Sequence, residues 1–349
     1  MTATLRDTVS RAVCDAIQPG AVELCDAIEE LLPGAGDGPG SVERIKPDVC
    51  RLRAGSDGRE RSFVLKRFDP WQARRAELVA RRWLPAFGLG DRCPQLLATA
   101  ADRRGQWTWH VYEDLGDGGI DPAHPDRGQV EAVVDLIAEL HTRAAGHALL
   151  PECRRYCGDL GAPFFAAAVR DAIATLEALA PPRLDPTPEQ RAVVDRLLAR
   201  LYRLRHELPQ RLWTLAALGG PETMLHADLR CTDAFVVATP DGQAARLGDW
   251  DRAAMGPPSY DIATFLYRFP RPERPWILEA YARAVGRAGW RLPPARDLNA
   301  MFETAECSRY VNRVIWPAVA VLEERAAWGF EELAEVTRWF DALEPALPD

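Results

Sequence analysis

Three aspartates recur at telling intervals in the stretch HADLRCTDAFVVATPDGQAARLGDWD. Asp228 stands two residues after His226 and five before Asp233, and Asp249 follows Asp233 by sixteen. The residues between Asp233 and Asp249 read as strand, Asp-Gly turn, strand, the pattern of a β-hairpin. A hairpin brings its ends together, so Asp233 and Asp249 are expected side by side, with Asp228 of the preceding loop facing the same point. Such a set suits phosphoryl transfer. One carboxylate orients an attacking hydroxyl and accepts its proton, while two hard oxygen donors hold Mg2+ on nucleotide phosphates. The plainer reading is a solvated acidic surface, and the residues upstream decide between the two.

Phosphoryl transfer also needs a cation on a strand to hold the phosphates, and protein kinases pair that lysine with a helical carboxylate. SFVLKRF places Lys66 on an apolar strand, and only one other lysine, Lys46, occurs in a chain whose remaining basic residues are arginine. Glu77 is the acidic residue in the body of the next helix, eleven after Lys66, and is expected to pair with it. WTWHVYEDLG ends a strand just before a Gly/Asp/Pro-rich stretch at 116–128, where an adenine-binding hinge of Tyr112, Glu113, Asp114 and Leu115 belongs. In protein kinases the metal-binding Asn follows the catalytic Asp by five residues and a second metal-binding Asp follows a hairpin. The spacing of Asp228, Asp233 and Asp249 fits that template. His226 is read as positioning its loop, Asp261 in SYDIATF as capping or bracing it, and Asp251 either as a helper of the metal or as a cap.

The elements that must position these residues fall into two parts. Before residue 116 the apolar pattern reads as helix, strands, one helix and further strands, with Asp57-Gly58 as a hairpin turn. After it come long amphipathic helices, VEAVVDLIAELHTRAAGH, FFAAAVRDAIATLEALA and PEQRAVVDRLLARLYRLRHEL, interrupted by strands only around 223–250. A nucleotide-binding lobe over 1–115 and a helical lobe over 116–349, carrying the catalytic loop and the acceptor site, are therefore expected. The chain has 349 residues with 47% hydrophobic and 27% charged, an ordinary globular balance. A formal charge of −8 argues against nucleic acid as the partner, and no run of 18 apolar residues suggests a membrane span. The charge-broken N-terminus does not read as a secretory signal, and the eight scattered cysteines carry no zinc spacing, so the protein is expected to be cytoplasmic with buried thiols.

With these residues in place, the sequence resembles the aminoglycoside phosphotransferase and choline kinase-like family. YEDLG is similar to that family's hinge, VDLIAELHTRAAGH to the helix after the linker, HADLRCTD to its catalytic loop, and LGDWDRAAMGPPSYDIATFL to its metal segment and following helix, over roughly residues 40–270. The resemblance implies an α+β, bilobal protein-kinase-like fold, with a small antiparallel sheet lobe and a mainly helical C-terminal lobe. It implies ATP and Mg2+ as cofactors, Asp228 as catalytic base, Asp233 and Asp249 as metal ligands, and Lys66, Glu77 and residues 112–115 at the nucleotide. It also implies that a hydroxyl of a small molecule, of antibiotic or natural-product type, accepts the γ-phosphoryl group.

Two departures alter this pattern. Asp233 stands where the family usually has asparagine, adding a negative charge beside Asp249, so nucleotide binding is expected to depend strongly on a divalent cation. Arg230 occupies a position more often small or histidine, where a guanidinium can meet a phosphate or an anionic substrate. Other readings keep the same residues. The acceptor can be a Ser or Thr hydroxyl of a peptide in a modified-peptide pathway; Asp233 can mark a pseudokinase scaffold; or the carboxylates can serve a metal-dependent phosphohydrolase, which would leave Lys66 without a role. The acidic stretch LEERAAWGFEELAE is either an attractor for a cationic sugar or a solvated helix face.

Overall fold

The computed structural model describes residues 8–9, 20–33, 40–56, 59–239 and 242–348. The Asp57-Gly58 turn, the loop at 34–39, the turn at 240–241 and most of the first 19 residues lie outside them. The chain clusters into two units, the first running to Ile120 and also taking in Thr232–Ala253, the second comprising Asp121–Cys231 and Ala254–Asp349. The boundary expected from the sequence lies at 115, and the first unit runs to Ile120. The hairpin after Asp233, expected in the second part, groups with the first.

In the first unit, β1 (Gly40–Lys46), β2 (Val49–Ser56), β3 (Arg59–Phe68), β4 (Leu96–Ala101) and β5 (Thr108–Glu113) form one antiparallel sheet in the order β1-β2-β3-β5-β4. Side chains alternate across a pleated strand, and the sequence of β3 obeys this period. Phe63 and Leu65 join a core with Leu52 and Val111, against which α1 (Ala21–Leu31) packs Leu24, Cys25 and Ile28. Val64 and Lys66 consequently point to the other face. Between β3 and β4 lies α2 (Pro70–Leu78), started by Asp69, whose carboxylate accepts the N–H groups of Trp71 and Gln72. It runs on as a π-helical turn, Val79–Trp83. A separate hairpin of β8 (Ala234–Thr239) and β9 (Gly242–Leu247) pairs Ala234 with Leu247.

The second unit is mainly helical: α3 (Arg127–Ala144), α4 (Leu150–Tyr156), α5 (Ala162–Glu177), α6 (Pro188–Leu218), α7 (Ser259–Leu266), α8 (Arg274–Gly286), α9 (Ala295–Glu324) and α10 (Trp328–Asp341). Apolar residues of α5, α6, α9 and α10, among them Phe165, Ile173, Leu201, Val311 and Leu333, share one core. Three very short strands, β6 (Gly158–Asp159), β7 (Thr223–Leu225) and β10 (Ala254–Gly256), form a sheet in the order β6-β10-β7. β7 leads directly into the loop that carries Asp228.

That loop is held from beneath by one buried carboxylate. Asp261, in the first turn of α7, accepts the backbone N–H of His226 at 2.7 Å and of Ala227 at 2.8 Å. His141 of α3 lies 3.3 Å from the same carboxylate through Nε2 and 2.9 Å from the Tyr281 hydroxyl through Nδ1, and its carbonyl accepts the Thr223 hydroxyl. Ala227 takes φ +68°, a left-handed backbone that an L-residue enters at a cost of about 1–2 kcal/mol. Asp261 therefore braces the loop, and His226 presents its backbone to the brace. Asp261→Ala would strip partners from the buried N–H of His226, the part-buried N–H of Ala227 and from His141; a loss of about 3–5 kcal/mol of stability is expected in urea unfolding.

Candidate active site

The open face of the five-stranded sheet borders a cavity of about 390 Å3 within the first unit. Val49, Val64 and Phe235 give it apolar walls, while Lys66, Asp233 and Asp249 supply charge. Tyr112, Glu113, Asp114 and Leu115 line the same cavity. The volume lies within the range of about 300–1,000 Å3 typical of small-ligand sites, and the mixture of apolar wall with few charges is equally typical.

Hairpin geometry brings the two aspartates to one cavity. Gly248 N–H donates to the Asp233 carbonyl at 2.8 Å, next to the Ala234–Leu247 pair, so Asp233 enters the hairpin where Asp249 leaves it. Asp249 sits at φ +61°, a strained position for a non-glycine residue, of the kind found where a side chain must be aimed. The Lys66 amino group donates to Asp249 Oδ1 and lies 3.3 Å from Asp251 Oδ2. It also sits 4.6 Å from the centre of the Phe68 ring. Burial works to lower the Lys66 pKa, but the charges of Asp249 and Asp251 outweigh it and hold the amine above its usual range. Asp251 moves up, first through burial and then through repulsion by Asp249. Lys46, the second lysine of the chain, stands 3.9 Å from Asp249.

Glu77 does not pair with Lys66. It lies 3.3 Å from Arg74 and 3.1 Å from Arg81 on its own helical segment. Ala73 and Ala76 take the buried face of α2, and the next position is turned about 100° away from them. The role expected of Glu77 falls to Asp249 and Asp251, and α2 reaches the site through Arg75, which donates to the Asp251 carbonyl at 3.0 Å. Glu77→Gln is accordingly expected to change nucleotide affinity by less than about two-fold, as is usual for an exposed ion pair on a helix surface.

At the hinge, the side chains are committed to the surrounding strands. Asp114 accepts Arg51 Nε at 2.8 Å, the Ser62 hydroxyl and the Gly116 N–H, and these bonds with the Arg51 charge overcome burial to keep its carboxyl below the usual range. Glu113 accepts Arg246 Nη1 of β9 at 2.6 Å. This leaves the hinge backbone, with its fixed spacing, as the part that can read a planar base.

Asp228 belongs to the second unit and is held by two guanidiniums, Arg230 Nη2 at 3.0 Å and Arg313 Nη2 of α9 at 3.0 Å. Burial alone would raise its pKa; Arg313, Arg230 and His226 reverse that and bring it to about 2. The carboxylate is therefore ionised throughout the neutral range and able to accept a hydrogen bond from a hydroxyl. Its contribution to stability is full above pH 4 and is lost as pH falls towards 2.

No group of three protein His, Cys, Asp or Glu donors suited to a metal occurs among the described residues. The two hard carboxylates at the hairpin, Asp233 and Asp249, nevertheless fit Mg2+, which keeps several waters and binds through one or two carboxylates plus substrate phosphates.

Residues 47–298 match the pattern of the phosphotransferase enzyme family. The chain belongs to that family. Among solved structures, an ethanolamine kinase of Plasmodium vivax aligns with TM-score 0.61 at 10% identity, covering 90% of this chain and 84% of that one. A spectinomycin phosphotransferase, solved with ADP and spectinomycin, aligns with TM-score 0.60 at 12% identity over 95% and 97% of the two chains. The choline kinase LicA of Streptococcus pneumoniae gives TM-score 0.52 at 15% identity over 92% and 99%. At such identities the likeness establishes the fold, which is protein-kinase-like, as the family resemblance had implied. No curated protein matches this chain in sequence. No helix among the described residues is long and apolar enough to cross a membrane.

Proposed function

We propose that this family member transfers the γ-phosphoryl group of ATP to a hydroxyl of a small molecule, using Mg2+. The observation that carries the reading is Lys66: a half-buried strand lysine that contacts Asp249 and Asp251 and lines a cavity with the hinge, Asp233 and Asp249. In the absence of nucleotide its charge is spent on Asp249. Phosphate oxygens offer it a second partner, and Asp249 is then available to a metal, which with Asp233 would neutralise the charge on the phosphates. Val49, Val64 and Phe235 supply faces for the base, and the hinge backbone supplies its polar edge.

In the transfer step the acceptor oxygen forms a bond to the γ-phosphorus as the bond to the β-γ bridging oxygen breaks, releasing ADP. Asp228 orients the hydroxyl and takes its proton. A carboxylate with a pKa near 2 is a weak base, so its larger contribution is alignment, and the proton moves late, when the oxygen has become acidic through bonding to phosphorus.

Calorimetry of ATP binding with and without Mg2+ tests the reading. Binding in the micromolar range that requires the metal, followed by ADP release with a hydroxylated acceptor, is the expected result. Absence of ATP binding under both conditions would exclude the phosphotransferase and leave a pseudokinase scaffold.

A further inference from the structure

In the second unit two guanidiniums, Arg230 and Arg313, hold Asp228. Arg309 and Arg313 lie four residues apart on one face of α9, Arg230 sits on the loop itself, and Arg268 follows the C-terminus of α7. A cavity of about 200 Å3 in this unit is lined by Arg268, Arg274 and Arg309 together with Tyr267, Tyr310 and Trp339.

The carboxylates nearby are already engaged. Glu306 is fully buried and bonded to Arg309 by two contacts, Nε to Oε1 at 2.9 Å and Nη2 to Oε2 at 2.7 Å. Asp228 is taken by Arg230 and Arg313. Glu344, on the cavity wall, stands 3.7 Å from Arg274, whose Nε donates to the Phe269 carbonyl. Arg268 has only the Thr264 carbonyl at 3.3 Å, and no carboxylate among the described residues lies within 4 Å of it. Burial first, and then the Arg309 charge beside it, outweigh the charge of Glu306 and push the Arg268 guanidinium below its usual pKa. Arg268, Arg274 and Arg309 thus face the cavity together with Glu344, while Glu306 is committed to Arg309.

We infer that this arginine-lined cavity receives an anionic group of the acceptor, a carboxylate or a phosphate, and that the acceptor is therefore an anionic alcohol and not a polycationic sugar. The inference rests on the reading of the chain as a small-molecule phosphotransferase and deepens it. Planar guanidiniums match carboxylate and phosphate oxygens through paired N–H donors, and partial burial strengthens each contact relative to water. Tyr267, Tyr310 and Trp339 add walls against which the carbon frame of such an acceptor can lie. A polycation in the same place would meet uncompensated positive charge. Of the acidic stretch at 322–335, Glu335 is already engaged, accepting both Arg338 and the Trp339 indole N–H.

The probes are inorganic phosphate and acetate, titrated separately into the full-length protein at low ionic strength and followed by calorimetry. Lys66→Met serves as the control for anions captured by the nucleotide cavity. Binding that persists in Lys66→Met, weakens ten-fold or more in Arg268→Gln and falls with added salt supports the inference; which of the two anions binds identifies the headgroup. Glu344→Gln, at an exposed carboxylate on the cavity wall, gives a second reading that does not depend on the Arg268 substitution folding, and a several-fold gain in anion affinity is expected there. Anion binding lost in Lys66→Met but kept in Arg268→Gln, or no binding to the wild type, would overturn it. Mg·ATP binding to the wild type is measured alongside. Its absence would sink the phosphotransferase reading while leaving an anion site standing, so the two failures are distinguishable.

Discussion

Asp228→Asn is expected to lower turnover by about 10^3-fold while leaving Mg·ATP affinity within about two-fold of wild type. Asparagine keeps the size of the side chain and one oxygen able to accept from Arg313, so the loop should retain its shape. It cannot take up a proton, and its amide group can turn a donor towards the acceptor hydroxyl, opposing the orientation required. Because the carboxylate is held near a pKa of 2, Asp228 imposes no titration on the rate between pH 4 and 9, and any limb in that interval must come from another group. Single-turnover phosphoryl transfer, measured beside ATP calorimetry, separates the two effects. Wild-type turnover in Asp228→Asn would remove the residue from the mechanism. A parallel loss of ATP affinity would make it a structural residue.

What could be read in advance was what depends on local periodicity. Lys66 was legible because β3 alternates, placing Phe63 and Leu65 on the core face and leaving Lys66 on the other. The Asp233–Asp249 juxtaposition was legible because a hairpin's ends must meet whatever surrounds them. Helix phase was less so. α2 buries Ala73, Ala76 and Leu78, which turns Glu77 away from Lys66 towards Arg74 and Arg81; its being the acidic residue in the helix body did not reveal that phase. Asp251, two residues beyond Asp249, was left undecided between metal and cap and proves to share Lys66.

Contacts between distant segments were not legible. Arg313 lies 85 residues from Asp228, on a helix with two other arginines, and nothing in its neighbourhood singles it out. The bracing role of Asp261 could be suspected from its position before an apolar helix, but its acceptance of two loop N–H groups and its meeting with His141 required the fold. Lys46 was the missed residue that composition could have found. In a chain with two lysines, both stand beside Asp249.

That crowding around Asp249 determines the second large effect. Asp249→Asn is expected to abolish the gain in ATP affinity that Mg2+ provides, a loss of at least about 100-fold at saturating metal, since even residues behind a metal ligand cost 10–100-fold when changed. Without metal the expectation runs the other way. Removing the carboxylate leaves Lys66 with Asp251 as its remaining partner and takes one negative charge from a cavity that Asp233 still lines. Metal-free ATP should then bind no more weakly than to wild type, and more tightly if Lys66 transfers its contact to the phosphates. Asp233 sharpens the contrast, because an aspartate where the family usually has asparagine adds repulsion that only a cation relieves. Titrations of both proteins with ATP, in EDTA and in Mg2+, give four affinities. If the ratio between the two conditions is unchanged in Asp249→Asn, the residue is not a metal ligand, and its pairing with Lys66 is structural alone.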